Sequence, residues 1–92
     1  MLDVHDLIVK ELFENKSLAS LIYLINNGRE LEFRVLNKKC FITCDSSKKY
    51  VSMWVENEEQ SFESVEDLIS NSIIENEQFI HLWKTAELET LF

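Results

Sequence analysis

An α+β fold is what these 92 residues predict, and two observations predict it. Apolar residues recur at helical spacing before residue 27 and again after residue 64. Between residues 29 and 56 they alternate strictly with polar ones, and two short polar turns interrupt the run. The expected architecture is an N-terminal helix or helix pair, a three-stranded antiparallel meander, and C-terminal helices packed on one sheet face. The expected boundaries within a single domain are helical over 1–27, sheet over 29–56, helical over 64–87, and an apolar tail over 88–92.

Each element has a local cause. Asp3 can cap a helix over 3–14, with Val4, Leu7, Ile8 and Leu12 as its apolar stripe. Ser17 can cap a second segment that buries Leu18, Leu21, Ile22, Leu24 and Ile25 and ends at Asn26-Asn27-Gly28. Whether one bent helix or two results is left open by the pattern. Next, Leu31, Phe33 and Val35 alternate with Glu30, Glu32 and Arg34. Asn37-Lys38-Lys39 reads as a turn. Cys40, Ile42 and Cys44 follow, then a second turn over Asp45 to Lys49, then Val51, Met53 and Val55. These nine residues form the expected inner face. Arg34, Phe41, Thr43, Tyr50, Ser52 and Trp54 form the outer one. Ser64-Val65-Glu66-Asp67 reads as a capping box ahead of Leu68 and Ile69. Ile73 and Ile74 lead to a turn near Glu75-Asn76. A last helix is expected over Glu77 to Glu87, with Phe79, Ile80, Leu82 and Trp83 mostly inward.

Composition narrows the function. Apolar residues make up 46% and charged residues 28%, enough of both for a soluble folded chain. There is no proline, and Gly28 is the sole glycine, so no glycine-rich phosphate loop can form. The net charge of −8 opposes a polyanion and suits a basic partner. That charge is unevenly spread. Residues 29–49 carry six basic and three acidic side chains, whereas residues 50–92 carry one basic and ten acidic. The start of the sequence lacks a basic segment followed by an apolar run, and no stretch is long enough to span a membrane. A cytoplasmic protein with reduced thiols is therefore expected.

Catalytic and metal-binding arrangements find little support. Cys40 and Cys44 on one strand would lie about 13 Å apart, too far for a shared zinc ion or a disulfide. They read as small core residues. His5 and His81 have no ligand at a recognised offset. No serine or cysteine sits in a nucleophile motif, so no catalytic residue, metal or cofactor is nominated and the protein is read as non-enzymatic. The lysine pairs Lys38/Lys39 and Lys48/Lys49 fall at opposite ends of the meander and read as solvated turns, which disfavours nucleic acid. The acidic run from Glu56 to Glu63 reads as a loop leading into a helix. The outward aromatics Phe41, Tyr50 and Trp54 are the most informative feature, because large rings on an open sheet face serve as contact points for proteins. With Glu58 and Glu59 they make up the candidate partner-binding set. The competing reading is that the tail or an N-terminal helix covers them.

The segments GRELEFRVLNKKCFIT and SFESVEDLISNSIIENEQFIHLW resemble a group of small uncharacterised proteins of low-GC Gram-positive bacteria, often associated with phages or mobile elements. In that group a hairpin precedes Phe-x-Ser-x-Glu-x-Leu at the start of a helix, and an Ile, a turn and a Trp follow. Phe62, Ser64, Glu66, Leu68, Ile74 and Trp83 match that shape within residues 28–85. Glu75-Asn76-Glu77 departs from the Asp-Gly-Lys-like turn of the group, and the N-terminal helices lie outside the pattern. The resemblance implies no activity. It favours an accessory protein that binds another protein, such as an inhibitor or immunity-type protein. The alternatives are a homodimer that pairs through the outer sheet face or the apolar tail, and a weak nucleic-acid binder that uses Arg34, Lys38, Lys39 and the aromatics.

Overall fold

The structure, a computed structural model, describes residues 3–45, 47 and 50–92. Its N-terminal part is two helices. Asp3 caps α1 (Val4–Asn15), its Oδ1 accepting from the Asp6 N–H at 2.9 Å. Lys16 then takes a left-handed φ of 51° and ends the helix. Ser17 starts α2 (Leu18–Asn26), its Oγ accepting from the Ser20 N–H at 3.2 Å. Leu21, Leu24 and Ile25 of α2 are fully buried. In α1 the buried stripe is rotated from the expected one. Val4 and Leu7 stay exposed, whereas Ile8 and Leu12 face the core as expected and Val9 joins them. The main packing partner of α1 is α2, and a narrow stripe is enough to seat one helix on another.

Beyond Gly28, whose φ of 87° needs no side chain to clash, the chain builds a five-stranded sheet. Its strands are β1 (Leu31–Val35), β2 (Lys38–Asp45), β3 (Tyr50–Val55), β4 (Glu58–Phe62) and β7 (Glu87–Leu91). Their order is β4-β3-β2-β1-β7, and every neighbouring pair is antiparallel. The sheet therefore has two strands more than the expected three. β4 forms from the acidic run that reads as a loop. Its pairing with β3 uses the backbone, and an edge strand needs no apolar side chains for that. β7 forms from the end of the expected last helix and the apolar tail.

The expected helix over Glu77 to Glu87 is also broken up. Ser64 Oγ accepts from the Asp67 N–H at 3.0 Å and starts α3 (Val65–Asn71), while Asp67 reaches back to the Glu63 N–H. A small hairpin of β5 (Ile73–Ile74) and β6 (Glu77–Gln78) follows, then α4 (Phe79–Leu82) and a single 3-10 turn over Trp83–Thr85. The β1–β2 turn is Leu36-Asn37, at φ 52° and 61°, so Lys38 and Lys39 already belong to β2. Both residues are left-handed, as a two-residue hairpin loop requires. The Glu75-Asn76 turn repeats that geometry. Lys48 and Lys49 of the second expected turn lie outside the described residues.

Strand alternation puts one sheet face in the core. Leu31, Phe33, Val35, Cys40, Ile42, Val51 and Met53 are buried, and Cys44 and Val55 are half-buried. A bulge opposite Glu32/Phe33 turns both Leu88 and Leu91 toward this core. Phe33, Phe79 and Trp83 form an aromatic triad with ring centroids 5.3 to 6.1 Å apart. The Trp83 indole N–H donates to the Lys16 carbonyl at 2.7 Å, and Lys16 Nζ donates to the Lys84 carbonyl at 2.8 Å. This exchange ties the break between the first two helices to the C-terminal turn. Gln60 sits on the core side of β4, where an apolar residue would be usual. Its amide grips the backbone of Ile73 at both N–H and C=O, at 3.1 and 2.6 Å, and so holds the β5–β6 hairpin against the sheet.

Candidate functional site

The other sheet face is polar and aromatic. Cross-strand pairing sets four of its side chains in one row: Glu32 faces Phe41, Phe41 faces Trp54, and Trp54 faces Glu59. Neighbouring strands lie about 4.8 Å apart, so two aromatic rings stand side by side between two carboxylates. Trp54 is 36% exposed. Phe41 is half-buried, because the Phe92 ring stands against it edge-on at 5.9 Å. Phe92 reaches that position because its backbone exchanges two hydrogen bonds with Glu30 beyond the end of β7.

The carboxylates on this face are held in place. Glu59 Oε2 accepts from Ser52 Oγ, and Glu30 Oε2 accepts from Thr43 Oγ1, both at 2.6 Å. Ser52 and Thr43 are themselves a cross-strand pair. Two adjacent hydroxyls thus orient two carboxylates, one on each side of the sheet centre. This also explains why Ser52, an outward residue, is only 3% exposed. Two cations of this face, among the described residues, lie against acids as well: Lys39 Nζ is 3.6 Å from Glu32, and Arg34 Nε is 4.0 Å from Glu89. Glu32, Lys39, Phe41, Trp54, Glu56 and Asn57 line a groove of about 490 Å³ at the end of the row.

The expected partner-binding set is brought together only in part. Phe41, Trp54 and Glu59 are immediate neighbours. Tyr50 is on the same face but pairs with Asp45 at the far end of β3. Glu58 is not on this face. It pairs with Val55, whose side chain packs against the core. The two-residue turn at Glu56-Asn57 decides that parity, and neighbours on a strand point to opposite faces. Glu58 instead borders a second depression of about 540 Å³ near Lys38 and Glu75. There Lys38 Nζ lies 3.0 Å from Glu75, and that contact raises the lysine's pKa.

Several members of the site are missing from the expected set. Glu32 and Glu30 were legible as outward residues of an alternating strand. Phe92 entered only through the competing reading in which the tail covers the outward aromatics, which holds for Phe41, and its place there depends on the irregular pairing of β7. Cys40 lies on the core side beneath Phe41, where burial, helped by nearby Glu56, pushes its thiol up to about 11. It is a protonated core side chain at neutral pH. Both cysteines are free. His5 contacts Arg29 and Tyr23, and His81 is exposed on α4. Among the described residues, no group of three His, Cys, Asp or Glu side chains is arranged to hold a metal ion, and no helix is long and apolar enough to cross a membrane.

No protein family, curated protein or solved structure matches this chain.

Proposed function

We propose that the protein is a non-enzymatic interaction module that docks a basic protein on the outer face of its sheet. One observation carries this reading: the row Glu32–Phe41–Trp54–Glu59, an aromatic pair bracketed by carboxylates on a rigid sheet. Exposed tryptophan in such a setting supplies binding energy through buried area. Oriented carboxylates add on-rate and choice of partner. A net charge of −8 extends the same preference over the whole molecule. An accessory role, as the resemblance to small phage-associated proteins implies, needs nothing more than such a surface.

The charge also argues against self-association through this face. Isologous pairing would bring two copies each of Glu30, Glu32 and Glu59 together, and like charges at close range repel.

Affinity capture from the native cells with wild type, Trp54→Ala and Glu59→Lys tests the proposal. A retained protein of high isoelectric point that both variants lose is the expected result. A set of retained proteins unchanged by both variants overturns the reading. Light scattering over a range of concentrations tests the pairing argument, with a monomer expected.

A further inference from the structure

The groove at the end of the aromatic row has a chemistry that selects among cations. We infer that it is an arginine subsite, which accepts the guanidinium of an arginine from the docked partner. The inference rests on the docking reading above and adds the identity of the anchor. Three features carry it.

First, Trp54 presents an accessible ring beside a carboxylate on the adjoining strand, Glu59. A guanidinium stacked on that ring lies within reach of a carboxylate about one strand spacing away. Second, Glu59 is preoriented. Its Oε2 is held by Ser52 Oγ at 2.6 Å, and its second oxygen has lone pairs to offer an incoming N–H. Third, Glu32 and Glu56 line the groove itself, whereas Glu59 faces Trp54 from the adjoining strand outside that lining, so the groove and the adjoining strand both offer carboxylates to a cation on the ring. A planar, weakly hydrated guanidinium can satisfy the ring and a carboxylate together. A lysine ammonium is a compact, strongly hydrated point charge and gains less from the ring. Lys39, which already faces Glu32 at 3.6 Å, is the one cation lining this groove among the described residues, and it competes with the incoming charge.

The two indole N–H signals in a proton–nitrogen correlation spectrum make a direct readout. Trp83 donates to the Lys16 carbonyl inside the fold and reports on folding. Trp54 reports on the groove. The probes are two capped hexapeptides, three Gly-Arg repeats and three Gly-Lys repeats. The arginine peptide should shift the Trp54 signal, leave the Trp83 signal in place, and bind about three-fold more tightly than the lysine peptide. Trp54→Ala, with the Trp83 signal unchanged, should bring the arginine peptide down to the lysine level. Glu59→Gln should weaken both, and Lys39→Gln should strengthen both. Equal affinity for the two peptides in wild type, or no binding of either, overturns the arginine subsite. If the captured partner still depends on Trp54 in that event, the docking face stands without it. If that dependence is also absent, both readings fall.

Discussion

Trp83 and Trp54 carry the same side chain into opposite surroundings. Trp83 is 4% exposed, packed edge-on against Phe33 and tilted against Phe79, and its N–H is bonded to the Lys16 carbonyl. Trp54 is 36% exposed, with Phe41 on one neighbouring strand and the Glu59 carboxylate on the other. The buried cluster joins helix, sheet and C-terminal turn. Among the described residues, the surface row is tied to its own strands and to Phe92. An aromatic group whose contacts are spent inside the fold stabilises it, and one left half-open on a rigid sheet is free to bind. The difference teaches that aromatic content alone says little about function until burial separates the two roles.

The comparison can be broken first at its stable end. Trp83→Ala should cost about 3–5 kcal/mol in urea unfolding, as large truncations in a packed core do. Trp83→Phe should lose less, since it keeps the ring but leaves the Lys16 carbonyl without its donor. A loss below about 1 kcal/mol for the alanine variant would mean that the two clusters do not differ in role.

The sheet's core side should also show in the pH dependence. The Cys40 thiol has its pKa raised to about 11 from 9.0. Its contribution to stability is therefore complete below pH 9 and is lost as the pH rises toward 11. The thermal midpoint should fall over that window more in wild type than in Cys40→Val. Equal slopes would remove burial as the cause.

A smaller effect sharpens the comparison at the turn that separates the two faces. The Leu36-Asn37 turn fixes the register in which Phe33 points inward and Phe41 outward. Asn37 has a φ of 61°. Asn37→Gly should stabilise the protein by about 0.5–1 kcal/mol by relieving the left-handed backbone. A loss of stability would show that Asn37 does more than hold the turn.

The smallest effect on stability belongs to the surface row. Trp54→Ala should cost only about 0.5 kcal/mol, the size of one cross-strand pair, while abolishing partner capture. In wild type, with each quencher normalised to its effect on a neutral free tryptophan derivative, caesium should reach the exposed tryptophan about two-fold more efficiently than iodide, because Glu32 and Glu59 repel anions. A larger normalised value for iodide would contradict the acidic rim.

How much was legible depended on whether the cause was local. Caps at Asp3, Ser17 and Ser64 were readable because each satisfies a backbone donor three residues on. The inner and outer faces of β1 to β3 were readable because their side chains alternate without interruption. β4 was not, since Glu58-Glu59-Gln60-Ser61 offers no apolar beat and its pairing is made by backbone groups. The expected helix over Glu77 to Glu87 failed because Phe79, Leu82 and Trp83 suit a helical stripe and a short turn equally well. Only packing against Phe33 and Lys16 separates the two.

By itself, then, the order of residues determined the α+β class, the helical character of the segment before Gly28 though not its break at Lys16, and the parity that aims Phe41 and Trp54 away from the core. Tertiary structure alone decided that Glu59 joins them and Glu58 does not, that Phe92 returns to Phe41, and that Trp83 is locked inside. The physical reason is range. Alternation and capping act between near neighbours, whereas the β1–β7 and β3–β4 pairings depend on turn geometry, a bulge and contacts between distant parts of the chain.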